Sequence, residues 1–207
     1  SLANTNDGSC IDFILGCMDS LACNYNPEAE MADGSCVYPE LGYDCEGNIT
    51  EYIVGLEAEG GIVFYVDETG EHGLVAALED LTEGGTDPYG WGFNGYEWGC
   101  YGEYVEGADG QAIGTGYQNT MDIVNQGCSA DSGGVTAAQA ALGAEINGYI
   151  DWYLPSKDEL VEMYYAIGKG SPEGNIGSFD TSDIPLYWSS SEYDSKDAWN
   201  VHFLDGS

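Results

Sequence analysis

Apolar residues first gather densely at Gly61-Ile62-Val63-Phe64-Tyr65-Val66-Asp67, a short run bounded by turn formers. Such a run reads as a buried β-strand. Glu68 to Gly73 supplies a turn and Leu74-Val75-Ala76-Ala77-Leu78 the returning strand, so the pair predicts a hairpin. The period then changes. Tyr117 to Gln126 carries Met121, Ile123 and Val124 and meets a stop at Gly127, while Val135 to Ile146 is alanine-rich with Gly148 just beyond. Both predict helices. Ser156-Lys157-Asp158-Glu159 spells a capping box with Pro155 just outside it. It opens a third helix on which Leu160, Val161, Met163, Tyr164 and Ile167 are spaced for one buried face, ended by Gly168 and Gly170. Leu186 to Ser190 and Trp199 to Leu204 read as strands, the second alternating Trp199, Val201 and Phe203.

This order predicts an α+β domain with a small twisted antiparallel sheet, two to three helices and long loops, among them a Gly- and Trp-rich loop over residues 82–110. Residues 1–50 behave differently. They hold five cysteines, no basic residue and almost no periodic apolar pattern, whereas every Trp lies later. The boundary is expected near Glu46-Gly47-Asn48, giving a Cys-rich region over 1–50 and a larger domain over 51–207. Asp7-Gly8-Ser9-Cys10 recurs as Asp33-Gly34-Ser35-Cys36, so the first region contains a repeat, and Cys10 is expected to be the tail of an earlier copy that is mostly missing. Repeats too small for a core of their own need staples, and in tandem they act as spacers.

Composition narrows the partners. Three Lys, no Arg and 37 acidic residues give a formal charge of −34. Such a surface cannot neutralise phosphates, which excludes nucleic acid, and it is repelled by anionic membranes. Salt screens it over about 8–10 Å at physiological ionic strength, so a saline, calcium-rich medium would suit it. A hydrophobic content of 43% is enough for a real core, so disorder is not expected. No apolar run is long enough to span a bilayer. Seven cysteines point to an oxidising compartment, and so to an extracellular, cell-surface or virion-surface location.

Three blocks carry a resemblance. Asp151-Trp152-Tyr153-Leu154-Pro155-Ser156-Lys157-Asp158-Glu159-Leu160, Tyr187-Trp188-Ser189-Ser190-Ser191-Glu192-Tyr193 and Ala198-Trp199-Asn200-Val201-His202-Phe203 occur in this order. With Gly61–Val66, Tyr96–Cys100 and Ile113–Gly116 they resemble the C-terminal domain family of bacterial collagen-like adhesins. The resemblance covers about residues 60–205 and implies a C-type-lectin-like fold. It also implies a last strand after Asp205-Gly206 that would pair with the first, so Gly61–Asp67 is expected to show an open edge or to be completed by another chain or by residues outside this sequence. Gly16-Cys17 through Ala22-Cys23-Asn24-Tyr25-Asn26-Pro27 to Asp33-Gly34-Ser35-Cys36 resembles a Cys-rich repeat of secreted proteins of marine bacteria and some of their viruses.

The candidate chemistry is that of binding. Asp19, Asn24, Asn26 and Asp33 are oxygen donors in a short Cys-anchored loop, a set that would suit calcium. The competing reading makes them turn formers that cap backbone N–H groups. Cys100 and Cys128, the only cysteines of the larger region, are expected to form a bridge. Cys23–Cys36, closing the Asn24–Asp33 loop, is the preferred pair of the first region, where five cysteines leave one over. Trp91, Tyr96, Trp98, Tyr101 and Tyr193 are candidates to stack on a glycan, or else to fill the core beneath a long loop. The calcium–sugar motifs of lectins are absent, since Asn200 is followed by Val201. Catalytic motifs are absent too, so neither an enzyme nor an organic cofactor is expected. The expected partners are a glycan or protein receptor. The alternative is neighbouring copies, in a filament, sheath or virion decoration.

Overall fold

The computed structural model describes residues 13–81, 95–131, 133–179 and 185–207. Trp91 and Cys10 lie outside the described residues. The chain divides into two compact units, Ser1–Tyr52 and Ile53–Ser207.

The small unit is held by covalent bonds and turns. Strands β1 (Leu15–Gly16) and β2 (Met31–Ala32) pair in parallel over two residues each. Only Gly16, Cys17 and Ala22 are buried among its described residues. Apolar burial on that scale cannot offset the entropy of ordering the chain. Two disulfides do the work, Cys17–Cys36 and Cys23–Cys45. This corrects the expected Cys23–Cys36 pair. The loop that pair would have closed is closed by hydrogen bonds instead. Cys23 N–H donates to the Val37 carbonyl at 2.7 Å. The Asn24 side chain donates to the Ser35 carbonyl and accepts from Val37 N–H. The Cys23 sulfur is thereby left to reach Cys45, and Cys36 pairs with Cys17.

In the large unit, β3 (Glu57–Ala58), β4 (Gly61–Val66) and β5 (Gly73–Ala77) form an antiparallel sheet in the order β3-β4-β5. The β4–β5 hairpin falls where the apolar runs place it. Strand β3 has no alternating signature. It is turned back by Glu59 and Gly60, whose positive φ values of 51° and 80° make a two-residue turn matching the strand twist. A Cβ at Gly60 would meet the Tyr149 ring at 2.6 Å, so that position needs glycine twice over. The open edge expected along Gly61–Asp67 is therefore half filled. Val63 N–H donates to the Leu56 carbonyl and Gly55 N–H to the Val63 carbonyl. Beyond Val63 that side of β4 has no strand partner among the described residues.

Three helices follow, α1 (Gly116–Gln126), α2 (Ala137–Leu142) and α3 (Lys157–Ala166). Helix α2 is shorter than the alanine-rich run because Thr136 caps it late, with Gln139 completing a capping box, and it ends at Gly143. The predicted Ser156–Glu159 box forms on α3. Strands β6 (Leu186–Glu192) and β7 (Ala198–His202) make a separate antiparallel pair. Leu160, Met163 and Tyr164 of α3, with Ile167 at its C-terminal cap, join Ile62 and Phe64 of β4, Val201 of β7 and Phe203 just after it in one core. A second core gathers Trp98, Val105, Ile123, Cys128, Ala138 and Ala198.

Between the cores runs a buried polar seam. Ser189, Ser190 and Ser191 are fully buried. Their hydroxyls donate to the carbonyls of Trp199, Pro155 and Gly110 respectively. Asn119 on α1 donates to the Gly110 carbonyl at 2.6 Å and meets the Ser190 and Ser191 hydroxyls. Glu159 is equally buried. Its Oε2 accepts from Ser156 N–H and its Oε1 from Gly114 N–H, both at 2.7 Å. No buried side-chain polar atom among the described residues lacks a partner, so the seam adds rigidity without the cost of an unmet donor or acceptor. The conspicuous Trp-Ser-Ser-Ser and Leu-Pro-Ser-Lys-Asp-Glu blocks are thus framework.

Candidate binding cleft

The seam ends at a surface cleft. The Cys100–Cys128 bridge, as expected from the sequence, ties the loop after Tyr96 to the end of α1. Gly102 N–H donates to the Ser195 carbonyl at 2.6 Å, joining that loop to the β6–β7 turn. Glu192 reaches across as well, accepting from Val105 N–H at 3.0 Å while its own N–H donates to the Ala108 carbonyl. The enclosed space, about 540 Å³, is lined by Trp98, Tyr101, Glu97, Asp131, Glu192 and the Asp194–Ala198 turn.

The five aromatic candidates separate. Trp98 is buried and donates its indole N–H to the Ser189 carbonyl at 2.8 Å, so it is a strut with one edge on the cleft. Tyr96 is half-buried and its carbonyl accepts from the Trp188 indole at 3.0 Å. It lies on a different hollow. Tyr101 is 67% exposed and Tyr193 62% exposed, which leaves both rings available. Tyr193 is held edge-on to Trp199, centroids 4.8 Å apart, and Lys157 Nζ sits 4.5 Å over the Trp199 ring. Tyr104, on the same bridged loop, is exposed to the same degree at 70%, a residue the sequence reading passed over. Its place three residues after Tyr101 on the bridged loop was the available signal.

The cleft is acidic, with Lys196 as its one cationic lining residue among those described. Burial pushes the Glu192 carboxyl up from its ordinary value. The Val105 N–H bond opposes that, and Asp194 and Asp109 add to it. A carboxyl with a higher pKa folded than unfolded favours folding while protonated, and the contribution is lost as pH rises through the folded value. Glu192→Gln is therefore expected to raise the melting temperature at about pH 7 and to leave it almost unchanged at about pH 3. Scanning calorimetry at the two pH values checks this. A larger gain at the lower pH would contradict it.

The oxygen donors of the small unit serve its backbone. Asp19 accepts from Leu21 N–H and from the Tyr38 hydroxyl, Asn26 from Glu28 N–H, and Asp33 from Ser35 N–H. With the Asn24 bonds above, these are the contacts of turn-forming Asx residues. Among the described residues no group of three or more His, Cys, Asp or Glu side chains is placed to hold a metal ion. No described helix is long and apolar enough to cross a membrane. No family model, curated protein or solved structure matches the chain.

Proposed function

We propose that the chain is a non-enzymatic extracellular binding or adhesion module, its larger unit a C-type-lectin-like domain and its Cys-rich unit a spacer. The observation that carries this reading is the set of exposed rings on pinned loops. Tyr101 lines an acidic cleft whose walls are fixed by the Cys100–Cys128 bridge and the Gly102–Ser195 hydrogen bond, and the exposed Tyr193 immediately precedes the Asp194–Ala198 turn that lines it. Rigid aromatic side chains at low entropic cost are what glycan and protein recognition uses. Three disulfides fit an oxidising compartment.

The sign of the cleft narrows the ligand to neutral glycans or cationic protein surfaces, because a sialylated or sulfated glycan would meet like charge. An array of neutral and sialylated oligosaccharides probed with the whole chain tests this. Retention of neutral glycans is expected, with Tyr101→Ala and Tyr193→Ala each weakening it about tenfold and leaving circular dichroism unchanged. Equal retention by both variants, or preference for sialylated glycans, would count against the reading.

A second reading, a structural subunit of a filament, sheath or virion decoration, is favoured by the sheet edges left open among the described residues of the large unit. Concentration-dependent sedimentation at high salt distinguishes it.

A further inference from the structure

The two sheets of the large unit stop short of each other. Helix α3 underlies both, its Leu160 and Met163 sharing a core with β4 and β7. The β5 residues Gly73–Ala77 and the β6 residues Leu186–Trp188 line one groove of about 600 Å³, floored by Phe64, Leu160 and Met163.

Register decides which backbone groups face that groove. Val63 directs its N–H and C=O to the β3 side, so Val75 opposite it is not bonded to β4. Val75 and Ala77 therefore point their N–H and C=O outward. On β6, Phe203 N–H donates to the Pro185 carbonyl, which turns Leu186 and Trp188 away from β7. The same outer edge of β6 is already capped at Ser190, whose N–H donates to the Pro155 carbonyl. No described residue bonds the outward groups of Val75, Ala77, Leu186 or Trp188. Among the described residues, two open ladders thus flank one apolar hollow.

The charge at the groove selects the occupant. Glu79 and Asp151 are exposed at it, Asp80 lies beside them bonded to the Tyr187 hydroxyl, and among the described residues no Lys, Arg or His lines it. A second copy of a chain carrying −34 would bring like charge to that rim.

We propose that the groove takes a β-strand from a partner polypeptide, apolar at alternate positions and lysine- or arginine-bearing between them. The strand joins β5 to β6 in one continuous sheet. Its alternating apolar side chains enter the hollow over Leu160 and Met163 while its cations face Glu79 and Asp151, the mode of strand addition at a sheet edge.

The test uses the whole chain and synthetic peptides of about seven residues, roughly the length of a strand. One alternates lysine with valine, one alternates glutamate with valine, and one is the lysine peptide with its central valine replaced by proline. The lysine peptide is expected to bind and to slow amide exchange at Val75, Ala77, Leu186 and Trp188. The glutamate and proline peptides should bind at least tenfold more weakly. Glu79→Lys with Asp151→Lys, both on the surface, should weaken the lysine peptide tenfold or more at low salt. Val75→Pro removes one outward donor and should weaken it too. Binding of the lysine peptide without slowed exchange at those four amides overturns the proposal. So does equal binding of the lysine and glutamate peptides, absence of binding, or protection of the same amides by self-association alone. None of these outcomes involves Tyr101 or Tyr193, so failure here is separable from failure at the cleft.

Discussion

Glu159→Ala is expected to cost the large unit about 4 kcal/mol of unfolding free energy. The carboxylate is fully buried and accepts two backbone N–H groups, one from Ser156 in its own helix cap and one from Gly114 on the chain entering α1. Truncation leaves both donors without a partner in a site water does not reach, and a buried unmet donor costs about 1–3 kcal/mol. The cap of α3 weakens at the same time, by about 1 kcal/mol. The site cannot relax inward easily. A Cβ on Gly116 would already collide with Glu159 Oε2, so the carboxylate fills its space closely. Glu159→Gln keeps one acceptor but turns a donor toward one of the N–H groups, and should cost about half as much. Urea unfolding followed by tryptophan fluorescence measures this cleanly, since every Trp lies in the large unit. A loss under about 1 kcal/mol would show that the two bonds are not the ones holding the junction.

The second large effect belongs to the small unit. Replacing Cys17, Cys36, Cys23 and Cys45 by serine is expected to unfold it entirely while the tryptophan signal of the large unit persists. The bridges close segments of 19 and 22 residues, and loops of that size are each worth about 3 kcal/mol through the unfolded state. Little else opposes unfolding. Gly16, Cys17 and Ala22 are the only buried positions among its described residues, and most of its hydrogen bonds are exposed to water. Hydrogen exchange read by mass spectrometry gives the answer at Cys23, Asn26 and Glu30, whose N–H groups donate to Val37, Cys17 and Ile14. At position 23 the serine N–H would be followed. Protection surviving at these positions would mean that turns and Asx bonds suffice without the staples.

Much of the large unit was legible because its elements announce themselves locally. The β4–β5 hairpin shows as two apolar runs about a turn, and the α3 cap shows as Ser156 and Glu159 three residues apart with Pro155 before them. The Cys100–Cys128 bridge followed from there being no other cysteine in the region. Strand β3 was not legible, since Glu57-Ala58 is too short to show alternation and Glu59 does not look like a turn residue at positive φ. The three serines after Trp188 fall in a segment that reads as a strand, but what satisfies their hydroxyls is not written locally. They are buried because Pro155, Gly110 and Trp199 bring carbonyls to them. The cleft aromatics were nominated as one group, and the fold divided them into struts and free rings, with Trp91 outside the described residues.

What the sequence determined by itself is whatever depends on neighbours along the chain: hairpin, helix starts and stops, the acidic surface, and the need for staples in a region without apolar periodicity. What only the tertiary structure decided is whatever depends on which distant groups meet. That includes the partner of each cysteine in the small unit, the second acceptor role of Glu159, the burial of Ser189–Ser191 and the separation of the two sheets over α3. Local propensity acts over a few residues. Disulfide pairing, buried hydrogen bonds and strand edges are settled by contacts between segments far apart in sequence, and no spacing rule encodes those.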